Sequence, residues 1–169
     1  MSLATDTDSA GSQALVKLPV QAPAAAHSAV VERLVKQFGA SWVDESNIDT
    51  WAAEGGNRVL LFTGDPVQFP EGLDVAAVLP ELQRCVTARF SIGVVLRAAE
   101  NALARRYGSQ RWPTLLFLRD GQYVTTLSGM HDWDVFLQRM TQALAMPVSR
   151  APSVGIAVVS ATAGGASCH

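Results

Sequence analysis

Arg111-Trp112-Pro113-Thr114-Leu115-Leu116-Phe117-Leu118-Arg119-Asp120-Gly121-Gln122-Tyr123 is the stretch that decides the fold of this chain. The apolar run from Leu115 to Leu118 reads as a buried strand, entered through an X-Pro-Thr step. Asp120-Gly121 is the two-residue signal of a tight hairpin and predicts paired strands over Thr114–Arg119 and Gln122–Ser128. Gly129 ends the second strand. From Asp132 to Ala145, Trp133, Phe136, Leu137, Met140 and Leu144 recur at helical spacing, so an amphipathic helix with those five on one face follows the hairpin.

Working back toward the N-terminus, Val59-Leu60-Leu61-Phe62-Thr63 is a second continuous apolar run, and Ser91 to Leu96 a third; both read as strands covered on two faces. A helix over Ser28–Phe38 is predicted by Val31, Leu34, Val35 and Phe38 and stopped by Gly39. Trp42-Val43 is a candidate short strand. Asn47 is expected to cap a short helix holding Ile48 and Trp51 and ended by Gly55-Gly56. Gly64 to Gly72 is a loop with Pro66 and Pro70. Helices then follow over Leu73–Arg84 and over Glu100–Tyr107. Alternating units make a parallel portion and the hairpin adds an antiparallel edge, an α/β domain with a central mixed sheet flanked by helices. Residues 1–27, rich in Ala, Ser, Thr, Gln and Pro, read as a flexible lead-in to a domain over 28–147. Residues 148–169 read as a flexible Ala/Gly-rich tail, although Val154–Val159 is apolar enough to dock as a strand.

With 49% of 169 residues apolar and 17% charged, the chain can bury one real core. A net charge of −2 and the lack of a basic cluster argue against a nucleic-acid partner. The charge is unevenly placed: Ser41–Glu81 holds eight acidic residues against Arg58, whereas Leu82–Arg150 holds nine arginines against four acids. Such asymmetry steers a charged partner to one face. An acidic start (Asp6, Asp8) is unlike a secretory leader, and no apolar stretch approaches the roughly 18–20 residues of a membrane span. With two separated cysteines, these features lead to the expectation of a cytoplasmic protein without a membrane span.

The order of elements resembles thioredoxin-like folds, in which the proline before the hairpin is normally cis beside the redox site; Pro113 is therefore expected to be cis. Cis X-Pro is a minority state, and a fold that retains it uses it to shape a surface. Dithiol chemistry needs a thiolate at a helix N-terminus and a second cysteine one turn on. The corresponding loop, Gly64 to Gly72, contains no cysteine, serine or histidine. Cys85 falls at the far end of the following helix, where a buried structural thiol is expected. Cys168-His169 supplies two adjacent ligands, which do not make a metal site. His131 has no nucleophile beside it and reads as a surface or helix-entry residue. No enzyme site, metal or cofactor is expected. The alternative is a monothiol redox protein using Cys85 or Cys168.

The stretch Tyr107-Gly108, Arg111-Trp112-Pro113, Leu116-Phe117, Gly121-x-Tyr123, Leu127-x-Gly129-x-His131-x-Trp133 and Met140 resembles the HyaE/HupG/HoxO family of [NiFe]-hydrogenase expression proteins. The resemblance runs from about Val30 to Pro147 and includes Trp42 to Ser46 and Trp51. It implies a thioredoxin-like protein without redox cysteines that acts as a dedicated chaperone in maturation of an uptake hydrogenase. The implied partners are the hydrogenase small-subunit precursor, with its iron–sulfur clusters and twin-arginine signal peptide, and other hydrogenase maturation proteins.

A site follows from physical reasoning. Backbone groups left free at the cis-Pro loop can pair with an extended peptide as an added strand. Phe69, Trp112 and Pro113 are expected to form an apolar shelf, with Asp65, Glu71 and Asp74 complementing two arginines. The competing reading makes Trp112 a core residue.

Overall fold

The computed structural model describes residues 28–152. The expectations placed on residues 1–27 and 153–169, including Val154–Val159, Cys168 and His169, lie outside the described residues. Five helices and five strands follow the predicted order: α1 Ala29–Phe38, β1 Ser41–Val43, α2 Ile48–Ala53, β2 Asn57–Phe62, α3 Glu71–Cys85, β3 Phe90–Val95, a 3-10 turn Arg97–Ala99, α4 Glu100–Tyr107, β4 Thr114–Arg119, β5 Gln122–Ser128 and α5 Trp133–Ala145.

The sheet order is β1-β3-β2-β4-β5. β1 and β2 both run parallel to β3, β4 is antiparallel to β2, and β5 to β4. This arrangement, with the Trp112–Pro113 bond cis, is thioredoxin-like. Side chains alternate across the strands and build two cores. Val59, Leu61, Ile92, Val94, Leu115 and Phe117 face α1, α3 and α5, while Leu60, Phe62, Val95, Leu116 and Leu118 face α2 and α4. Both faces being covered explains why these strands are unbroken apolar runs rather than alternating ones.

Local chemistry sets the boundaries. Ser28 caps α1 by accepting from the Val30 N–H, and Gly39 closes it in the left-handed region. Asp120 and Gly121 both take positive φ, as a tight hairpin turn requires. The Asp120 carboxylate also accepts from the Gly56 N–H, tying the hairpin to the start of β2. Asn47 corrects an expectation: its side chain makes no helix cap. Instead its amide donates to the Trp42 C=O and its carbonyl accepts from the Asp44 N–H, closing the turn after β1. Trp133 is a second correction: it heads α5 at 41% exposed, while Phe136, Met140 and Leu144 enter the core. Helical spacing identified the right face, but Trp133 is the first residue of α5, about a turn before the first buried position, Phe136. Cys85 is a third: it is exposed at the last position of α3, beyond the inward residues Leu79 and Leu82.

α3 begins two residues earlier than its periodicity predicted, at Glu71, and lies tightly over the end of β2. A Cβ on Gly72 would stand 2.1 Å from the Thr63 carbonyl oxygen. Chain rather than a flexible side chain blocks it, so Gly72→Ala must push helix and strand apart. It is expected to lower the unfolding free energy by about 3 kcal/mol, the upper range for overpacking. Gly39→Ala meets nothing within 4 Å and faces only the positive φ of 69°. That substitution should cost about 1–2 kcal/mol. Urea unfolding of the two variants checks the order; an equal or smaller loss for Gly72→Ala contradicts the close approach.

Candidate functional site

β2 and β4 pair up to Phe62 opposite Thr114, which brings the segments beyond them, Thr63-Gly64 and Trp112-Pro113, side by side at one end of the sheet. Gly64 is the contact between them. Its φ is 76°, and a Cβ there would lie 2.8 Å from both the Phe69 ring and the Trp112 Cβ. Only glycine lets the two aromatics close over the chain. The rings of Phe69 and Trp112 stack with centroids 5.7 Å apart and planes 28° apart.

Trp112 both packs against the core and stacks on Phe69. It is half-buried and packs against the α2/α4 core, with its indole Nε1 enclosed and unpartnered, and it forms the shelf with Phe69. Pro113 is buried beneath. The loop is held by its neighbours: the Gly129 N–H donates to the Pro113 C=O at 2.8 Å, and the Thr114 hydroxyl donates to the Arg111 C=O at 2.6 Å. Among the described residues nothing pairs with the N–H or the C=O of Trp112. An unpaired donor and acceptor on one residue at a sheet end are what an added extended strand engages.

The loop from β2 to α3 is built on a carboxylate that sequence reasoning passed over. Glu100, 1% exposed at the start of α4, accepts from the Thr63 N–H at 2.8 Å, the Gly64 N–H at 3.0 Å and the Thr63 hydroxyl at 3.2 Å. Its other oxygen takes Arg97 at 2.6 Å. A buried carboxylate is tolerated when it is this fully bonded. In the sequence Glu100 marks only a helix start, and no local pattern reveals its pairing with Thr63 and Gly64, about a third of the domain away.

Arg97 also reaches Asp65 at 3.1 Å. The other oxygen of Asp65 accepts from the Val67 and Gln68 N–H groups. Those two amides first, with Arg97 behind them, hold the Asp65 carboxyl below its ordinary value of 3.8. Of the predicted charged residues, Asp65 is thus internally engaged, whereas Glu71 and Asp74 are exposed in the first turn of α3 and form no ion pair among the described residues.

Sequence reasoning also left out the rim formed by the β5–α5 connection. Met130, next to the Gly129 that bonds Pro113, is 40% exposed. His131 stands edge-on to Phe136 at 5.5 Å with its Nε2 enclosed and unpartnered. The spacing Gly129-x-His131-x-Trp133 marked this connection without assigning it to the site. On the loop opposite, Val67 is 89% exposed. No group of three or more His, Cys, Asp or Glu among the described residues could hold a metal ion, and no described helix is long and apolar enough to cross a membrane.

The depressed Asp65 pKa fixes a sign. Its stabilisation is complete above 3.8 and is lost as pH falls through the lower folded-state value. Asp65→Asn should therefore be less stable than the parent at pH 7, and the gap should close below that window. Urea unfolding at pH 7 and at acid pH tests it; a gap that is constant with pH contradicts an ionised, bonded Asp65.

Comparison with known proteins bears on the same elements. The family model of the hydrogenase-1 expression protein HyaE matches residues 30–136, from α1 to Phe136 in α5. The hydrogenase expression/formation protein HoxO of Cupriavidus necator is 57% identical over 142 residues, 83% of this chain and 88% of that protein. HupG of Bradyrhizobium diazoefficiens, also a hydrogenase expression/formation protein, is 36% identical over 127 residues, 73% of this chain and 86% of its own length. Among solved structures, a hydrogenase expression/formation protein HupG from Rhodopseudomonas palustris is 34% identical with a TM-score of 0.45, covering 62% of this chain and 95% of that one. A thioredoxin-like domain with no thiol in the Gly64–Gly72 loop, matched from α1 to α5, belongs to the HyaE family of hydrogenase expression/formation proteins.

Proposed function

We propose that this protein is a non-enzymatic chaperone of uptake [NiFe]-hydrogenase maturation that binds the small-subunit precursor through its twin-arginine signal peptide. Binding holds the precursor back from export and shelters its iron–sulfur clusters until assembly is complete. The proposal places the protein in the cytoplasm, where the precursor is made. The observation that carries it is the N–H and C=O of Trp112, which nothing among the described residues pairs, beside the stacked Phe69 ring. A peptide laid along that edge pairs its backbone with Trp112, rests apolar side chains on the shelf, and brings arginines toward Glu71 and Asp74. Main-chain pairing contributes affinity and the side-chain contacts contribute selectivity.

Titration against the small-subunit precursor, with and without its signal peptide and in reducing buffer, tests the reading. The form carrying the peptide should bind at least about tenfold more tightly, a difference of ~1.4 kcal/mol. Its affinity should fall from low to high salt, because the charges involved are exposed. Replacing Cys85 and Cys168 together by serine should leave binding unchanged, in contrast to a monothiol mechanism. Equal affinity for both precursor forms would move recognition to the folded subunit, and binding of neither would end the proposal.

A further inference from the structure

The loop that carries Phe69 is joined to the protein interior by a chain of charge-assisted hydrogen bonds. It starts at Glu100, whose carboxylate has both oxygens occupied by Thr63, Gly64 and Arg97. Arg97 spans from there to Asp65, which in turn receives the Val67 and Gln68 N–H groups on its side chain. The Asp65 C=O takes the Phe69 N–H as well. Each link fixes the next, and the last residue is the one stacked on Trp112.

Cost points the same way. Burying a carboxylate is strongly unfavourable unless its bonds are complete. Here every bond that completes it goes to the two residues leaving β2 or to the arginine that reaches the loop. A free cation approaching Asp65 meets a carboxylate already bonded to the Val67 and Gln68 N–H groups and to the Arg97 guanidinium, whose charge opposes it. Glu71 and Asp74 carry no such obligation.

We propose that Glu100, Arg97 and Asp65 are positioning residues that hold the 63–69 loop in its binding shape, and that Glu71 and Asp74 alone meet the cationic side chains of the bound peptide. This division of roles rests on the peptide-binding reading above and departs from the expectation that Asp65 contacts the arginines. Charged groups near the surface set the salt dependence of binding, whereas the buried relay sets the geometry of the shelf.

Amide hydrogen exchange and peptide titration over a range of salt separate the two roles. The variants are Glu100→Gln, Arg97→Lys, Asp65→Asn, the pair Glu71→Gln and Asp74→Asn, and Gly93→Ala as a destabilised control. Gly93 lies in β3, where a Cβ would stand 2.6 Å from the Trp51 ring, away from the loop. The probe is a synthetic cationic peptide containing the arginine pair and the apolar stretch of the precursor's leader.

Glu100→Gln should speed exchange at Thr63 and Gly64 by about tenfold or more, because their shared acceptor loses its charge and its hold on Arg97. Arg97→Lys keeps a cation for Glu100 but not the fork to Asp65. It should speed exchange at Val67 and Gln68, and it remains informative if Glu100→Gln does not fold. Gly93→Ala should not single out these amides. In the titrations, the relay variants should weaken binding with the salt dependence preserved, whereas the Glu71/Asp74 pair should flatten the salt dependence with loop exchange unchanged. Loop amides unaffected by both Glu100→Gln and Arg97→Lys would overturn the relay. A salt dependence flattened by Asp65→Asn as much as by the Glu71/Asp74 pair would overturn the division of charges. Failure of the parent protein to bind the peptide, with the exchange pattern as expected, would remove the proposed function and the charge assignment and leave the relay as the holder of the loop.

Discussion

The buried carboxylate of Glu100 ties together one end of this domain. It is the meeting point of α4, the end of β2 and the loop that follows, and it bonds backbone N–H groups that would otherwise end the strand unpaired. Main-chain donors buried at a strand end need partners, and a carboxylate is the strongest available. In a dithiol protein of this fold the same loop carries reactive cysteines; here it is occupied by prolines, Val67 and Phe69. The loop therefore presents apolar side chains where a dithiol protein presents thiols.

That surface is assembled from three separate parts of the chain. The β2–α3 loop supplies Phe69 and the exposed Val67, the entry to β4 supplies Trp112, and the β5–α5 connection supplies Met130 through the Gly129–Pro113 bond. Their convergence depends on the antiparallel β2–β4 pairing and on two glycines without which the chain could not close. Gly64 admits the aromatic pair and Gly72 admits the first turn of α3. The mixed sheet thus brings these parts together at one end of the domain, where nothing among the described residues pairs with the backbone of Trp112.

How much of this was legible in the sequence depended on whether the determining interaction was local. The hairpin is read correctly to the residue because Asp120-Gly121 dictates its own turn, and the buried strands follow from runs that only a two-sided sheet produces. The X-Pro-Thr step and the loop between two prolines likewise mark the positions of Trp112 and Phe69, although the stacking of the two rings is a tertiary contact. Glu100 was not, because its partners Thr63 and Gly64 are distant in sequence and an acidic residue at a helix start has an ordinary local explanation. Asp65 was placed in the right loop, but its engagement with Arg97 is a tertiary contact that no spacing reveals. Asn47 bonds back to β1 where capping was expected, and Trp133 and Cys85 lie at helix ends, where periodicity continues past the edge of the core.

The central claim is that the backbone of Trp112 accepts an extended segment of the hydrogenase small-subunit precursor. Its most direct measurement is the exchange rate of the Trp112 amide hydrogen in the free protein and in complex with the precursor. The account predicts fast exchange in the free protein and strong protection of that amide on binding, centred on the cis-Pro loop. Formation of the complex with the Trp112 amide still exchanging at its free rate would contradict it.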